Sequence, residues 1–439
     1  MGPPDKAAEA RGALRRIFQC ALEECSIEKA FARKVAYEGG ALRIGDDLYA
    51  LADYDRVLAI SLGKAAHAMA AALAARVGGL VRGVSAGPTE AAAMAPGFEY
   101  FRGGHPLPDA GSLRAAEAIL RALHALTAQS LVIFLISGGG SALVEKPVLD
   151  LSWDDLTATY RALVHSGAPI AEINAIRKHL SAIKGGRMAR AAGEARQVSA
   201  FVADVPEDKL DALASGPTMP DTTTVDDCYR IAARHGLLPQ FPETVRRLFA
   251  QRALEETPKA DDPAFVCSRW WVLLSNAIAV RAAAGAAGND GWAVEVDNSC
   301  DDWDYAAAAD HLLDKLRKLK QRRLGEPVCL ISGGEVTVRV TGGGVGGRNQ
   351  QFALYCAARI AEERVAVLSA GTDGIDGNSP AAGAVADGST LARARSLGSE
   401  PERVLARFDA YPLFARLGDA IITGPTGTNV RDLRILLAW

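Results

Sequence analysis

The feature that most constrains this chain is a strand pattern repeated along its length. The segments "LVIFLIS" (131–137), "VSAFVAD" (198–204), "WWVLLSN" (270–276), "PVCLIS" (327–332) and "RVAVLSAG" (364–371) are apolar at consecutive positions. A strand with one wet face alternates polar and apolar residues, so a strand that is apolar throughout has to be covered on both faces. Alanine-rich helical runs separate these strands. One example is "DRVLAISLGKAAHAMAAALAARVGG" (55–79), which reads as strand, glycine turn, helix and a Gly-Gly stop. The pattern predicts an α/β chain with doubly wound, largely parallel sheet between helix layers. A length of 439 residues exceeds one ordinary core and predicts two domains. The stretch "QFPETVRRLFAQRALEETPKADDPAF" carries three prolines and a charged helix, and suggests the boundary. The expected division is a Rossmann-like domain over 12–245 and a smaller α/β/α domain over 246–439.

Composition excludes several roles. The formal net charge is −3 with acids and bases interspersed, which argues against a nucleic-acid surface. No apolar run approaches the roughly 20 residues that span a bilayer. The opening "MGPPDKAAEARGALRRIF" lacks the apolar core of a signal peptide. Seven cysteines without a C-x-x-C pair suit free thiols in a reducing compartment. The expectation is a cytoplasmic protein, with a homo-oligomer left open. The basic "DKLRKLKQRRLGEP" (314–327) reads as a solvated helix face.

Chemistry in open α/β sheets collects beyond the carboxyl ends of the strands. Two strands here stop in the same way: "VIFLISGGGSALVEKP" (132–147) and "PVCLISGGEVTV" (327–338). Glycines in such a turn let backbone N–H groups approach an anion. Ser137, Gly138, Gly139, Gly140 and Ser141 form one candidate cradle, and Gly333 and Gly334 a second. The alternative is a tight turn that uses glycine for geometry alone. Other strand ends carry Gly63-Lys64, Asp204, and the loop "AGTDGIDGNSPAAGAVADGST" (370–390) with Asp373, Asp376 and Asp387. Clustered aspartates suit Mg²⁺, although Asp-Gly is also ordinary turn chemistry.

Two further segments carry charge or glycine in a pattern. In "EINAIRKHLSAIKGGRMARA" (172–191), Ile173, Ile176, Leu180 and Ile183 follow helical spacing. Asn174, Arg177, Lys178, Ser181 and Lys184 fall opposite, as an anion-binding face or an ordinary solvent face. His179 lies at the border and reads as structural. The run "VTGGGVGGRNQQFALYCAARIAEE" (340–363) satisfies G-x-G-x-x-G at Gly342, Gly344 and Gly347. The acid that should end the next strand is displaced into the Asp373 loop, so the dinucleotide fingerprint is weak. Arg348 and Asn349 suit phosphate or carboxylate. No Walker A motif is present.

Five motifs in register then carry a resemblance: "LISGGGSAL", "NAIRKHLSAIKGGRMA", "DVPEDKLDALASGPT", "GGRNQQFAL" and "AGTDGIDGNSPAAGAVADG". Together they resemble the glycerate 2-kinase family, with a MOFRL-type region over about 325–435; some members carry the label hydroxypyruvate reductase. The resemblance implies ATP-dependent phosphorylation of D-glycerate to 2-phosphoglycerate with Mg²⁺ or another divalent cation, in a cleft between two α/β domains. It casts Lys64 and Arg348 as active-site cations for the substrate carboxylate and the transferring phosphoryl group. Asp204 and Asp373 would orient the metal or the hydroxyl, with Asp376 behind them as a further metal ligand. Arg177 and Lys184 would hold nucleotide phosphates or the acid end of glycerate. Ala203 and Gln351 depart from the Ser and Glu common in the family. The alternative reading, an NAD(P)H-dependent hydroxypyruvate reductase, rests on Gly342, Gly344 and Gly347.

Overall fold

The computed structural model describes residues 6–91, 94–148 and 150–439. The chain forms two units, Ala30–Leu273 and a second built from the segment up to Lys29 together with Leu274–Trp439. This corrects the division expected at 245/246. The proline-bearing stretch does not close the first unit, because the strand Ser268–Leu274 completes its sheet. The helix Lys6–Glu24 belongs to the second unit, where Leu14, Ile17 and Phe18 are buried against Val280, Ala283 and Ile435.

The first unit opens with a small antiparallel sheet of β1 (Val35–Glu38), β2 (Ala41–Ile44) and β3 (Asp47–Ala50). Its main sheet contains β4 (Arg56–Leu62), β5 (Arg82–Gly87), β6 (Phe98–Arg102), β7 (Ser130–Ser137), β8 (Arg196–Val202) and β9 (Ser268–Leu274). The strand order is β6-β5-β4-β7-β8-β9, and every pairing from β6 to β8 is parallel. All eight residues of β7 are buried, as an uninterrupted apolar run requires of a central strand. Each Leu, Ile or Phe side chain buried there stabilises the unit by about 1.5–3 kcal/mol. The chain builds outward from β4 to β6, then returns to β7 and builds the other way. The sheet's topological switch point therefore lies between β4 and β7, whose ends are in register at Leu62 and Ile136. The crevice beyond such a point is where open α/β sheets bind ligands.

The second unit's sheet contains β10 (Ala293–Val296), β11 (Val328–Gly333), β12 (Val365–Gly371), β13 (Gly383–Asp387), β14 (Ala420–Ile421) and β15 (Asp432–Ala438). Its order is β10-β11-β15-β12-β13-β14, and only the β10–β11 pair is parallel. The parallel expectation fails here for a clear reason: consecutive apolar residues report coverage on both faces, not strand direction. Leu433, Ile435 and Leu437 of β15 face a core that includes the helix Lys6–Glu24. Leu436 and Ala438 face the opposite core, with Leu312, Leu316 and Phe352. Among the described residues, no helix is long and apolar enough to cross a membrane.

Candidate active site

At the switch point of the first unit, glycine is required by what stands against it. Gly63 follows β4 with φ +116°, and a methyl there would sit 2.2 Å from Ser137 Oγ and 2.3 Å from its carbonyl oxygen. The two strand ends are laced together instead. Lys64 N donates to Gly138 O at 2.8 Å, and Ala65 N to Ser137 Oγ at 3.0 Å. A methyl on Gly138 would lie 1.7 Å from Asp204 Oδ2, so that carboxylate lies directly over the glycine. A methyl on Gly139 (φ +83°) would lie 3.0 Å from Lys64 Cγ. Lys64, Ser137, Gly138, Gly139 and Asp204 are thus brought to one turn. Gly140 serves packing, with Leu62 Cδ1 2.4 Å from where its Cβ would be.

Ser141 turns toward another feature, with its Oγ 2.5 Å from Ser215 Oγ. Ala214, Ser215 and Gly216 have φ of +50°, +62° and +61° in succession. Left-handed backbone at Ala and Ser costs of order 1–3 kcal/mol each, and such strain is concentrated at functional sites. The motif "DALASGPT" contains these residues, but nothing in its letters signals the conformation.

The polar side of 172–191 is not a solvent face. Lys178, Ser181 and Lys184 are buried, and Lys178 Nζ donates to Asp221 Oδ1 at 3.1 Å. Lys184 is turned inward onto the Glu145 carboxylate, which also accepts from Tyr160 OH at 2.7 Å and Ser181 Oγ at 2.5 Å. Burial lowers the Lys184 pKa and Glu145 opposes that shift. Lys184 therefore does not present its charge to a ligand. Arg177 lies with Cζ 4.9 Å from the Tyr160 ring centre, and its buried Nε has no hydrogen-bond partner. His179 is structural as expected, bonded to Ala175 O at 2.8 Å and Glu256 Oε1 at 2.9 Å.

The second unit holds a cavity of about 580 Å³ lined by Glu335, Arg348, Asp373 and Asp376, with Val338, Val340, Ile375 and Phe408 as apolar walls. Arg348 begins the helix Arg348–Arg359. Its Nε donates to Asp432 Oδ2 at 2.5 Å and its Nη2 to Asp432 Oδ1 at 3.0 Å, with Glu335 Oε1 at 2.9 Å. Burial works against the guanidinium charge, but Asp432 and Glu335 outweigh it and raise the pKa.

The glycine-rich run is not a dinucleotide fingerprint. In that fold the amides at the helix start hold the pyrophosphate. Here Asp376 occupies them, accepting from Asn349 N at 3.1 Å and Gln350 N at 2.9 Å. Burial raises the Asp376 carboxyl to about 7, against the pull of those two amides. A methyl on Gly347 would lie 2.2 Å from Asp376 Oδ1 and 2.4 Å from its carbonyl carbon. Gly347→Ala should therefore displace this cap and cost about 1–3 kcal/mol, as overpacking does, measured as a lower urea midpoint. Gly342 and Gly344 similarly lie against the carbonyls of Arg407 and Phe408.

Four other expected residues prove internal. Asn349 is buried and accepts from Ser369 Oγ at 2.6 Å. The amides of Gly333 and Gly334 donate to Asn298 Oδ1 at 2.8 Å and Asn276 Oδ1 at 3.0 Å, so this turn offers no cradle. Buried Arg434 holds their carbonyls from the other side, at 2.7 and 3.2 Å. The turn leads into Glu335, whose Oε1 lies 2.9 Å from Arg348 Nη2. Asp387 is tied to Arg11 and to Ser389 N. Among the described residues, no three His, Cys, Asp or Glu side chains are grouped as a ready metal site. Glu335 and Asp432 were missed from sequence. Glu335 alone carried a signal, as an acid immediately after a glycine turn.

Comparison with known proteins decides the family. The model described as a domain of unknown function (DUF4147) matches residues 13–250, and the MOFRL family model matches 328–432. A D-glycerate 2-kinase of Thermotoga maritima is 37% identical over 393 residues, covering 87% of this chain and 90% of that one. The chain belongs to the glycerate 2-kinase family. An Agrobacterium vitis relative of this family, 37% identical over 388 residues and covering 87% of each chain, bears a provisional hydroxypyruvate reductase name. The crystal structure of a glycerate kinase from Thermotoga maritima superposes with a TM-score of 0.85 at 33% identity, covering 98% of this chain and 100% of that one. The glycerate 2-kinase fold is thus shared across both units.

Proposed function

We propose that this protein transfers the γ-phosphoryl group of ATP to D-glycerate, giving 2-phosphoglycerate. The observation that carries the reading is the meeting of Lys64 and Asp204 at the Gly138–Gly139 turn, on the switch point of a parallel sheet. Phosphoryl transfer depends on positioning and charge neutralisation more than on covalent help. A cation, a carboxylate and a glycine turn that admits close approach supply those requirements. Lys64 would neutralise the transferring group or the glycerate carboxylate. In the second unit, Arg348, held rigid by Asp432, is the candidate planar cation. Arg177 is the remaining candidate for nucleotide phosphate.

Mg²⁺ is bound in kinases by one or two carboxylates plus substrate phosphates and water. Each unit offers one partly exposed carboxylate suited to that mode, Asp204 in the first and Asp373 in the second, whereas both oxygens of Asp376 serve the helix cap. The ion would offset charge on the phosphates. The seven free thiols support a cytoplasmic setting. The occupied amides at Asn349 and Gln350 count against the reductase.

The test is ADP release. Formation of ADP from ATP should require both D-glycerate and Mg²⁺, with 2-phosphoglycerate as the product. NADH should not be oxidised with hydroxypyruvate. The opposite pair of results would replace the kinase with the reductase.

A further inference from the structure

β6 runs out into "GGHPLPD" (103–109), which brings a histidine to the turn already flanked by Lys64 and Asp204. A methyl on Gly139 would lie 3.4 Å from both Nε2 and Cδ2 of His105, beside its 3.0 Å approach to Lys64 Cγ. The loop that carries the imidazole is fixed at both ends. Gly103 N donates to Gly87 O at 3.0 Å, and Gly104 N to Ser112 Oγ at 3.0 Å. Asp109 then caps the helix Ala110–His124, accepting from Gly111 N at 2.8 Å and Ser112 N at 3.0 Å.

Four of the other six histidines are engaged internally, while His124 and His165 are exposed at helix ends. His67 is bonded to Ser85 and Thr89, His179 to Ala175 and Glu256, His235 to Glu172, and His311 to Asp297. His105 is only partly open to solvent, and no hydrogen bond is shown from its ring to a described residue. An anchored loop thus presents an imidazole to a glycine turn without using it for structure.

We propose that His105 is a catalytic residue of the kinase, accepting the proton of the glycerate hydroxyl as that oxygen attacks the γ-phosphorus. The inference rests on the kinase reading above. In this step the O–P bond to glycerate forms and the P–O bond to ADP breaks. ADP leaves with the electron pair, and the hydroxyl proton passes to the imidazole and then to water. An imidazole suits this work near neutral pH better than a carboxylate, which is a weaker base. Partial burial, with the neighbouring Lys64 adding to it, lowers the His105 pKa and favours the neutral ring. The charged group beside the ring is Lys64, and Asp204 lies over the adjacent Gly138; Arg102 and Asp109 flank the loop in the sequence.

The experiment compares wild type, His105→Ala, His105→Gln and the remote control His124→Ala. Both His105 variants should keep the wild-type Tm and the KM for ATP, and lose kcat by about 10²-fold or more. Added imidazole should restore part of the rate to His105→Ala and none to Lys64→Ala. His124→Ala should match wild type. A folded His105→Gln variant with kcat within threefold of wild type would overturn this role alone. Wild type without glycerate-dependent ADP release would overturn the kinase reading and this role with it.

Discussion

Lys64→Ala should lower kcat/KM for D-glycerate by about 10²–10³-fold and leave Tm almost unchanged. The magnitude is that of removing one preorganised charge-stabilising group from an active site. Stability should survive because a backbone bond joins the strand ends: Lys64 N donates to Gly138 O at 2.8 Å, and alanine retains that bond. The side chain itself is exposed, and surface substitutions usually fall within about 0.5 kcal/mol. Lys64→Arg should not restore the rate, since a longer planar guanidinium replaces a compact point charge beside a tight turn. Steady-state kinetics with thermal melts on the same preparations make the check. A Lys64→Ala enzyme within twofold of wild type would remove Lys64 from the mechanism.

What the letters revealed and what they hid follows one physical division. The strands were legible because burial on both faces forces unbroken apolar runs, as in β7. Strand direction was not, because β12 and β15 meet the same demand in antiparallel pairs. Lys64, Ser137 and Asp204 were legible as residues at or just beyond strand ends. His105 also lies just beyond a strand, but β6, with the sequence "FEYFR", alternates too much to register as a buried strand. The repeated Ser-Gly-Gly ending misled in one of its two places. At Gly138 the space above the glycine holds a carboxylate, whereas at Gly333 and Gly334 asparagines bind the amides. Which partner fills the space beside a glycine is a long-range fact. A hydrophilic helix face hides the same kind of fact, and 172–191 is the case with the larger consequence.

Lys184→Ala should destabilise the first unit by about 3–5 kcal/mol, the usual result of removing one partner from a buried ion pair. Both Glu145 and Lys184 are essentially inaccessible to water. With the ammonium gone, Glu145 would keep Tyr160 OH, Ser181 Oγ and Lys146 N as donors but lose its only ion-pair partner among the described residues. The paired substitution Lys184→Met with Glu145→Leu should recover only part of the loss. It removes the stranded charge but leaves the Ser181 hydroxyl without its acceptor and Tyr160 OH with only the 3.5 Å approach to Arg177 O. Urea denaturation of the two variants separates this structural role from ligand binding. Were Lys184 a phosphate contact, its alanine variant would unfold at the wild-type midpoint and show a raised KM for ATP. Were it the strut described here, the midpoint falls first, and the folded fraction keeps its affinity because Arg177, stacked on Tyr160, is untouched by the substitution.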